Sequence, residues 1–202
     1  MGKRENKITT LYHGSAFDFS KIDTTKGKTR KDFGKGFYMA TGYYHARGIA
    51  IKRKRELEQK FRKNCNGYIY KIETLSQVLG DFRKGKQGST KEYKTTGLYG
   101  KYKVKVFVGV SIDWVKFILS NRSGEINEEY DIVIGPTADS HAGKLFNQYL
   151  LGNFGEVGSE SALNSLMHAI KPPKGDSRFS IQICIKNNRV AREFTILDKE
   201  VI

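Results

Sequence analysis

The sequence has few cysteines, few prolines and no long apolar segment. Two of its 202 residues are cysteine, Cys65 and Cys184, and three are proline. Two cysteines are too few for a disulfide framework, and their spacing lacks the paired ligands of a zinc site. No segment approaches the roughly eighteen apolar residues of a membrane span, and the charged start MGKRENKITT has no signal-peptide core. We therefore expect a cytoplasmic protein without a membrane segment and without a bound metal.

The composition is typical of one ordered globular domain. Hydrophobic residues make up 38% and aromatic residues 12% of the chain, and the mean hydropathy of −0.54 indicates a strongly polar surface. A chain of this length supports one sizeable hydrophobic core. Because neither an internal repeat nor a linker is present, we predict a single α+β domain over residues 1–202.

Carboxylates are scarce in the first half of the chain. Residues 1–105 contain 26 lysines and arginines against 9 acidic residues, whereas residues 106–202 contain 10 against 12. A basic face must therefore come from the first half. Such an excess is either a solvated surface or an electrostatic footprint for nucleic acid or an acidic protein, and the charge alone leaves these alternatives open.

Hydrophobic periodicity predicts alternating strands and helices. The predicted strands cover residues 9–12, 36–41, 67–73, 104–110, 130–136 and 178–186. The predicted helices cover residues 43–63, 111–122, 140–151 and 159–170, the second of them capped by Ser111. We expect HGS, residues 13–15, to be a turn, and residues 80–103 to be a weakly ordered basic excursion or a hairpin.

The late strand has a clear alternation. It places Phe179, Ile181, Ile183 and Ile185 on one face, so Gln182 should face the other way in the middle of the strand. Two further predictions concern single residues. Trp114 should belong to the core, and Glu193 should lie on the surface.

Two short motifs are candidates for chemistry, LYHGS at residues 11–15 and DFGKGFYMA at residues 32–40. The second begins like the magnesium-binding tripeptide of protein kinases, but the kinase lysine, glycine loop and catalytic loop are missing. Its glycines leave the backbone open beside two aromatic residues, where a flat ligand ring could lie on Tyr38. The structural alternatives are a strand-end histidine with a turn glycine, and ordinary core aromatics.

In this order the motifs resemble the nicotinamide half of the ADP-ribosyltransferase superfamily, in the branch that includes poly(ADP-ribose) polymerases. The chain is similar over nearly its whole length to an uncharacterised bacterial family of that superfamily. The shared segments are LYHGS, DFGKGFY, the pair Asn121 and Arg122 before YDIVIGP with its Ala-Asp pair, and the late Gln182-Ile183. The resemblance implies a split mixed β-sheet flanked by helices, with NAD as co-substrate.

The resemblance also implies a role for each site residue. His13 would bind a ribose hydroxyl of NAD, and Gly14 would offer its backbone to the nicotinamide carboxamide. Tyr38 would stack on the nicotinamide ring, with Gly36 leaving room and Ala46 lying near the carboxamide. Arg30 and Lys35 are candidates for pyrophosphate contacts, with a solvated surface role as the alternative.

Gln182 departs from the best-studied members of the superfamily, which have glutamate there. A neutral amide cannot stabilise a positively charged ribose as a carboxylate does, although its carbonyl can still bind the ribose 2′-hydroxyl. Glutamine therefore favours transfer of a single ADP-ribose over chain elongation. Asp139 is the candidate for the missing carboxylate, with a helix N-cap as its alternative role.

The resemblance further suggests a bacterial toxin that is paired with an acidic antitoxin protein and modifies an intracellular macromolecule, for which nucleic acid is one candidate. The alternative is a degenerate fold that binds nucleic acid or an acidic partner without catalysis. Gln182 and the basic first half favour that alternative.

Overall fold

The computed structural model describes residues 7–124, 129–138, 140–170 and 179–202. Over these residues the chain forms eight strands and six helices in one domain, which confirms the predicted α+β class. The strands are β1 (Ile8–Ser15), β2 (Phe37–Ala40), β3 (Tyr68–Leu75), β4 (Ser89–Thr96), β5 (Lys101–Val108), β6 (Ile132–Pro136), β7 (Ile181–Ile185) and β8 (Phe194–Val201). The helices are α1 (Tyr43–Phe61), α2 (Ser76–Leu79), α3 (Ile112–Ser123), α4 (Ser140–Leu150), α5 (Glu160–Ala169) and α6 (Asn188–Ala191).

The strands form one mixed sheet in the order β4-β5-β6-β7-β2-β1-β3-β8. Strands β5 and β6 are parallel, and the other neighbouring pairs are antiparallel. The contact between β1 and β2 consists of the single pair Tyr12 and Ala40, whereas β1 pairs with β3 over its whole length. The sheet is therefore nearly divided in two between β1 and β2.

Helices cover one face of the sheet in two separate groups. Helix α1 packs on β1 and β3 through a small cluster that includes Ala46, Ala50 and Ile69. Helices α3, α4 and α5 pack on the half formed by β5, β6 and β7, around Trp114 and Phe146. Residues of β2 and β7 lie between the two groups of helices, at the point where the sheet divides.

The opposite face of the sheet carries the other large core. Leu11, Ile72, Ile134 and Ile183 are fully buried there and pack together with residues of α2 and α6. The predicted alternation of the late strand is confirmed, because Ile183 and Ile185 belong to this core while Cys184 faces the helices. Phe179 was wrongly assigned to the isoleucine face. It precedes the first residue of β7 and packs with the helices.

Local signals account for both ends of α3. The Ser111 hydroxyl accepts a hydrogen bond from the Trp114 amide at 3.2 Å, which confirms the predicted cap of α3. Gly124 ends that helix at φ +99°, in the left-handed region that glycine tolerates best.

No helix in the described ranges is long and apolar enough to span a bilayer.

Two expectations about loops are corrected. The HGS segment is not a turn, because His13 and Gly14 lie inside β1 and pair with Tyr70 and Ile69 of β3. In the segment 80–103, strand β4 pairs with β5 from Ser89 to Thr96, so the hairpin alternative describes it. The flexibility of that segment stays a prediction.

Candidate functional site

His13 lies in the gap between the diverging strands β1 and β2. Its Nδ1 is 2.6 Å from the backbone oxygen of Tyr38, and its ring stacks on Phe37 with centroids 4.2 Å apart. Burial lowers the pKa of His13 to about 4, so the imidazole is neutral at pH 7. A carbonyl oxygen only accepts, so Nδ1 carries the proton and donates, which leaves Nε2 as a hydrogen-bond acceptor.

Gly14 is required by the packing of α1 on β1. A β-carbon at this position would lie 2.0 Å from the carbonyl oxygen of Ala46 and 2.8 Å from the amide nitrogen of Ala50. Both are backbone atoms, so no side-chain rotation could relieve the overlap. Gly14 and Ala46, which were both predicted to border the nicotinamide, are therefore neighbours. Backbone atoms of α1 fill the space that a side chain at position 14 would need.

The glycines of DFGKGFYMA also have packing roles. Gly34 has φ +76°, and a β-carbon there would lie 2.5 Å from Asn121 Oδ1. A β-carbon on Gly36 would lie 2.5 Å from both the Cys184 sulfur and the Ile185 carbonyl oxygen. The two glycines thus let this segment turn and lie against β7 and α3.

The Tyr38 phenol is held by the turn that precedes it. Its hydroxyl donates to the Gly34 carbonyl at 2.6 Å and accepts from the Phe33 amide at 3.0 Å. Burial raises the pKa of Tyr38 well above its usual value, so the hydroxyl stays protonated. The Lys31 amine lies 4.7 Å from the centre of the ring, on the aromatic group predicted to stack on nicotinamide.

The basic residues Arg30, Lys31 and Lys35, which lie in or just before the motif, differ in environment. Burial, followed by the charge of Arg53, lowers the pKa of Lys31, which is only partly exposed. Arg30 and Lys35 are exposed, and the Arg30 guanidinium lies beside Gly124 at the end of α3. Arg30 and Lys35 were predicted as phosphate contacts, whereas the basic group that lies over the Tyr38 ring is Lys31.

Gln182 is buried and belongs to a polar network with Asp32 and Arg122. Its amide nitrogen donates to Asp32 Oδ2 at 3.1 Å and to the Pro136 carbonyl at 3.3 Å. Arg122 donates to Asp32 Oδ1 from Nε at 3.0 Å and from Nη2 at 2.6 Å. A buried carboxylate therefore lies beside Gln182. Sequence reasoning did not select Asp32, because its partners are 90 and 150 residues away.

The predicted site residues fall into two groups. Residues that pair directly across a sheet share a face, and Ala40 pairs with both Tyr12 and Gln182. Tyr38, Gln182 and Gly14 consequently share the face on which α1 packs. The His13 side chain lies on the other face with Phe37 and touches this group through the Tyr38 carbonyl. Asp139 lies outside the described residues.

Two cavities, of about 320 and 450 Å³, lie along α1 and are not lined by these residues. The first is bordered by Leu57 and Tyr68, and the second by Arg47 and Ile202. Among the described residues, no group of three histidine, cysteine or acidic side chains is arranged to hold a metal ion.

Glu193 was wrongly predicted to lie on the surface. It is 7% exposed and accepts hydrogen bonds from the amides of Leu98 and Tyr99 and from the Tyr102 hydroxyl. It anchors the turn of the β4-β5 hairpin, and its position in the sequence gives no sign of this contact.

The prediction that Trp114 belongs to the core is confirmed, since its side chain is fully buried.

Comparison with known proteins gives a family and no relative of established activity. No curated protein and no solved structure matches the chain significantly. A family model described as "Protein of unknown function (DUF3990)" matches residues 9–195, so the chain belongs to that family.

Proposed function

We propose that the protein is an NAD-dependent mono-ADP-ribosyltransferase. The observation that carries the proposal is the gathering of Gly14, Tyr38 and Gln182 on one face of the sheet, where the sheet divides and two groups of helices flank it. The Tyr38 ring is suited to hold a flat ligand ring beside the Gly14 backbone. The Gln182 amide, which is hydrogen-bonded to the Asp32 carboxylate, is suited to hold the attached sugar. The motif order that resembles ADP-ribosyltransferases adds independent support.

Each side chain has a defined part in the proposed reaction. Cleavage of the bond between nicotinamide and the ribose leaves the electron pair on the nicotinamide nitrogen and a positive charge on the sugar, which the acceptor then attacks as it loses its proton to solvent. The carbonyl oxygen of Gln182 accepts a hydrogen bond from a ribose hydroxyl, and Asp32, which is ion-paired with Arg122, holds the Gln182 amide in place. His13 lies on the other face of the sheet, so in this proposal it positions Tyr38 by donating from Nδ1 to the Tyr38 backbone carbonyl at 2.6 Å and does not bind the sugar.

NAD binding on Tyr38 requires Lys31 to move. The Lys31 amine is 4.7 Å from the ring centre, and a nicotinamide ring cannot stack on the same side while it stays there. In this proposal the amine leaves the aromatic ring for the phosphates of NAD, where a charge-assisted hydrogen bond replaces the cation-π contact.

The proposal extends to the biological setting. The protein acts inside a bacterial cell as the toxin of a toxin-antitoxin pair, and an acidic partner protein neutralises it. Its target is an intracellular macromolecule. The basic first half of the chain, with 26 lysines and arginines against 9 acidic residues, supports an anionic partner or acceptor.

The test measures nicotinamide release from NAD and transfer of labelled ADP-ribose to a bacterial lysate that is separated into protein and nucleic acid. We expect wild-type protein to do both and Tyr38→Ala to do neither. Tyr99→Ala is the matched control, because Tyr99 also lies under a cation, Arg192 at 4.2 Å, but at the tip of the β4-β5 hairpin. Absence of both activities in wild-type protein, with no thermal stabilisation by NAD, would refute the proposal.

A second candidate function is binding of a polyanion without catalysis, and helix α1 favours it. The helix contains six lysines and arginines and two glutamates. Glu56 pairs with Arg53 and Glu58 with Lys54, so the helix has no carboxylate left for its exposed cations Arg47, Lys52, Arg55 and Lys60. Such a surface predicts nucleic-acid binding that weakens steeply with salt. Salt-dependent binding without any response to NAD would favour this second function.

A further inference from the structure

The contacts of Asp32 use both of its carboxylate oxygens. Oδ1 accepts two hydrogen bonds from Arg122, at 3.0 and 2.6 Å, and Oδ2 accepts one from Gln182 at 3.1 Å. Asp32 is only 9% exposed, so its negative charge is stabilised by these neighbours instead of water. The carboxylate thus joins the helix residue Arg122 to the strand residue Gln182.

This network determines which way the Gln182 amide points. The amide nitrogen faces two acceptors, Asp32 Oδ2 and the Pro136 carbonyl oxygen. If the amide were turned over, the Gln182 oxygen would face Asp32 Oδ2 and the Pro136 carbonyl oxygen. All three atoms are acceptors, and no hydrogen would lie between them. The carbonyl oxygen of Gln182 has no donor among the residues that the structure describes, so it is available as an acceptor.

We propose that Asp32 is the positioning residue of this site, which holds the Gln182 carbonyl oxygen ready to accept from a sugar hydroxyl. The inference rests on the proposed function. It explains how a glutamine can stand where the ADP-ribosyltransferases that the motifs resemble carry glutamate, because Asp32 orients the amide so that residue 182 still presents an acceptor oxygen to the sugar.

The replacement of Asp32 by asparagine should undo this orientation. Arg122 can only donate, so the asparagine must turn its oxygen to Arg122 and its amide nitrogen to Gln182. Two amide nitrogens then face each other, and the Gln182 amide turns over to relieve the conflict. A donor now faces the substrate, and we expect nicotinamide release to fall about a hundredfold.

An exchange of the two residues provides the decisive variant. In Asp32→Asn/Gln182→Glu, the asparagine nitrogen donates to the new carboxylate, whose second oxygen again faces the substrate as an acceptor. The total charge of the network is unchanged, but the Pro136 carbonyl loses the donor that Gln182 provides, so we expect kcat to recover most of the loss caused by Asp32→Asn without exceeding the wild-type value. Gln182→Glu alone should give no gain at neutral pH, because two adjacent carboxylates must share a proton.

Matched controls are Asp198→Asn on the exposed edge strand β8 and Gln148→Glu on the exposed side of α4, which should release nicotinamide at the wild-type rate. If Asp32→Asn keeps wild-type kcat, or the double variant is no more active than Asp32→Asn, the inference is wrong. A purely structural role for Asp32 would lower the melting temperature of both variants without restoring kcat in the exchange.

A measurement without NAD separates this inference from the proposed function. In protein labelled with 15N-glutamine, the Gln182 side-chain amide should exchange its hydrogens slowly, and Asp32→Asn should abolish that protection. Its signals are assigned by their loss in Gln182→Glu. Wild-type protein that releases no nicotinamide would refute the proposed function, whereas unchanged amide exchange in Asp32→Asn would refute the positioning role of Asp32 on its own.

Discussion

Replacing Gly14 by alanine should destabilise the protein before any ligand is added. The new β-carbon would lie 2.0 Å from the Ala46 carbonyl oxygen, whereas ordinary contacts begin near 3.4 Å. Relief requires α1 to move away from β1 by about 1.4 Å. Overpacking by one methyl group costs about 1–3 kcal/mol, and the upper end applies because the obstacle is backbone.

The measurement is the free energy of unfolding from urea denaturation, with Gly48→Ala as the control. Gly48 lies in the same helix, and a β-carbon there would meet nothing within 4 Å. Because alanine is the better helix former, Gly48→Ala should stabilise the protein by about 0.5–1 kcal/mol. A Gly14→Ala variant as stable as wild type would refute the packing argument and would leave ligand access as the reason for the glycine.

Two other perturbations test the buried charges and the histidine. Glu193→Gln should lower the free energy of unfolding by about 2 kcal/mol, because one of the hairpin amides would face an amide nitrogen, and exposed Glu156→Gln serves as the control. Because the pKa of His13 is about 4 in the folded protein against 6.5 unfolded, the unfolded state binds more protons between these values. Wild-type stability should therefore fall as the pH drops from 6.5 to 4, by up to about 3 kcal/mol from His13, and His13→Gln should show a shallower fall in urea titrations at each pH. Equal pH dependence in the two proteins would contradict the burial of His13.

The elements that could be predicted are those with a local cause. Ser111 caps α3 through a residue three positions away, and the alternation of β7 follows from adjacent isoleucines. The same alternation predicted that Gln182 faces away from the isoleucines, and in the structure that is the face covered by the helices. Errors arose where tertiary contacts decide the structure. The HGS segment has turn-forming residues, yet full-length pairing with β3 keeps it extended.

The polar residues of the site show the same limit more sharply. Asp32 precedes a recognisable motif, but its importance depends on Arg122 and Gln182, which come from a distant helix and a distant strand. Glu193 has the sequence context of a surface residue and becomes buried because a hairpin turn nearly a hundred residues earlier packs over it. A single sequence contains no local signal for either pairing.

The glycines bear on how such motifs are interpreted. Gly14 and Gly36 were predicted to let a ligand approach. In the structure, a β-carbon at either position would overlap neighbouring atoms of the protein itself. The sequence alone therefore does not distinguish a glycine that contacts a ligand from one that is required by packing. Tyr38, Gln182 and Asp32 are therefore the residues that support a function, because backbone packing alone does not explain the positions of their side chains.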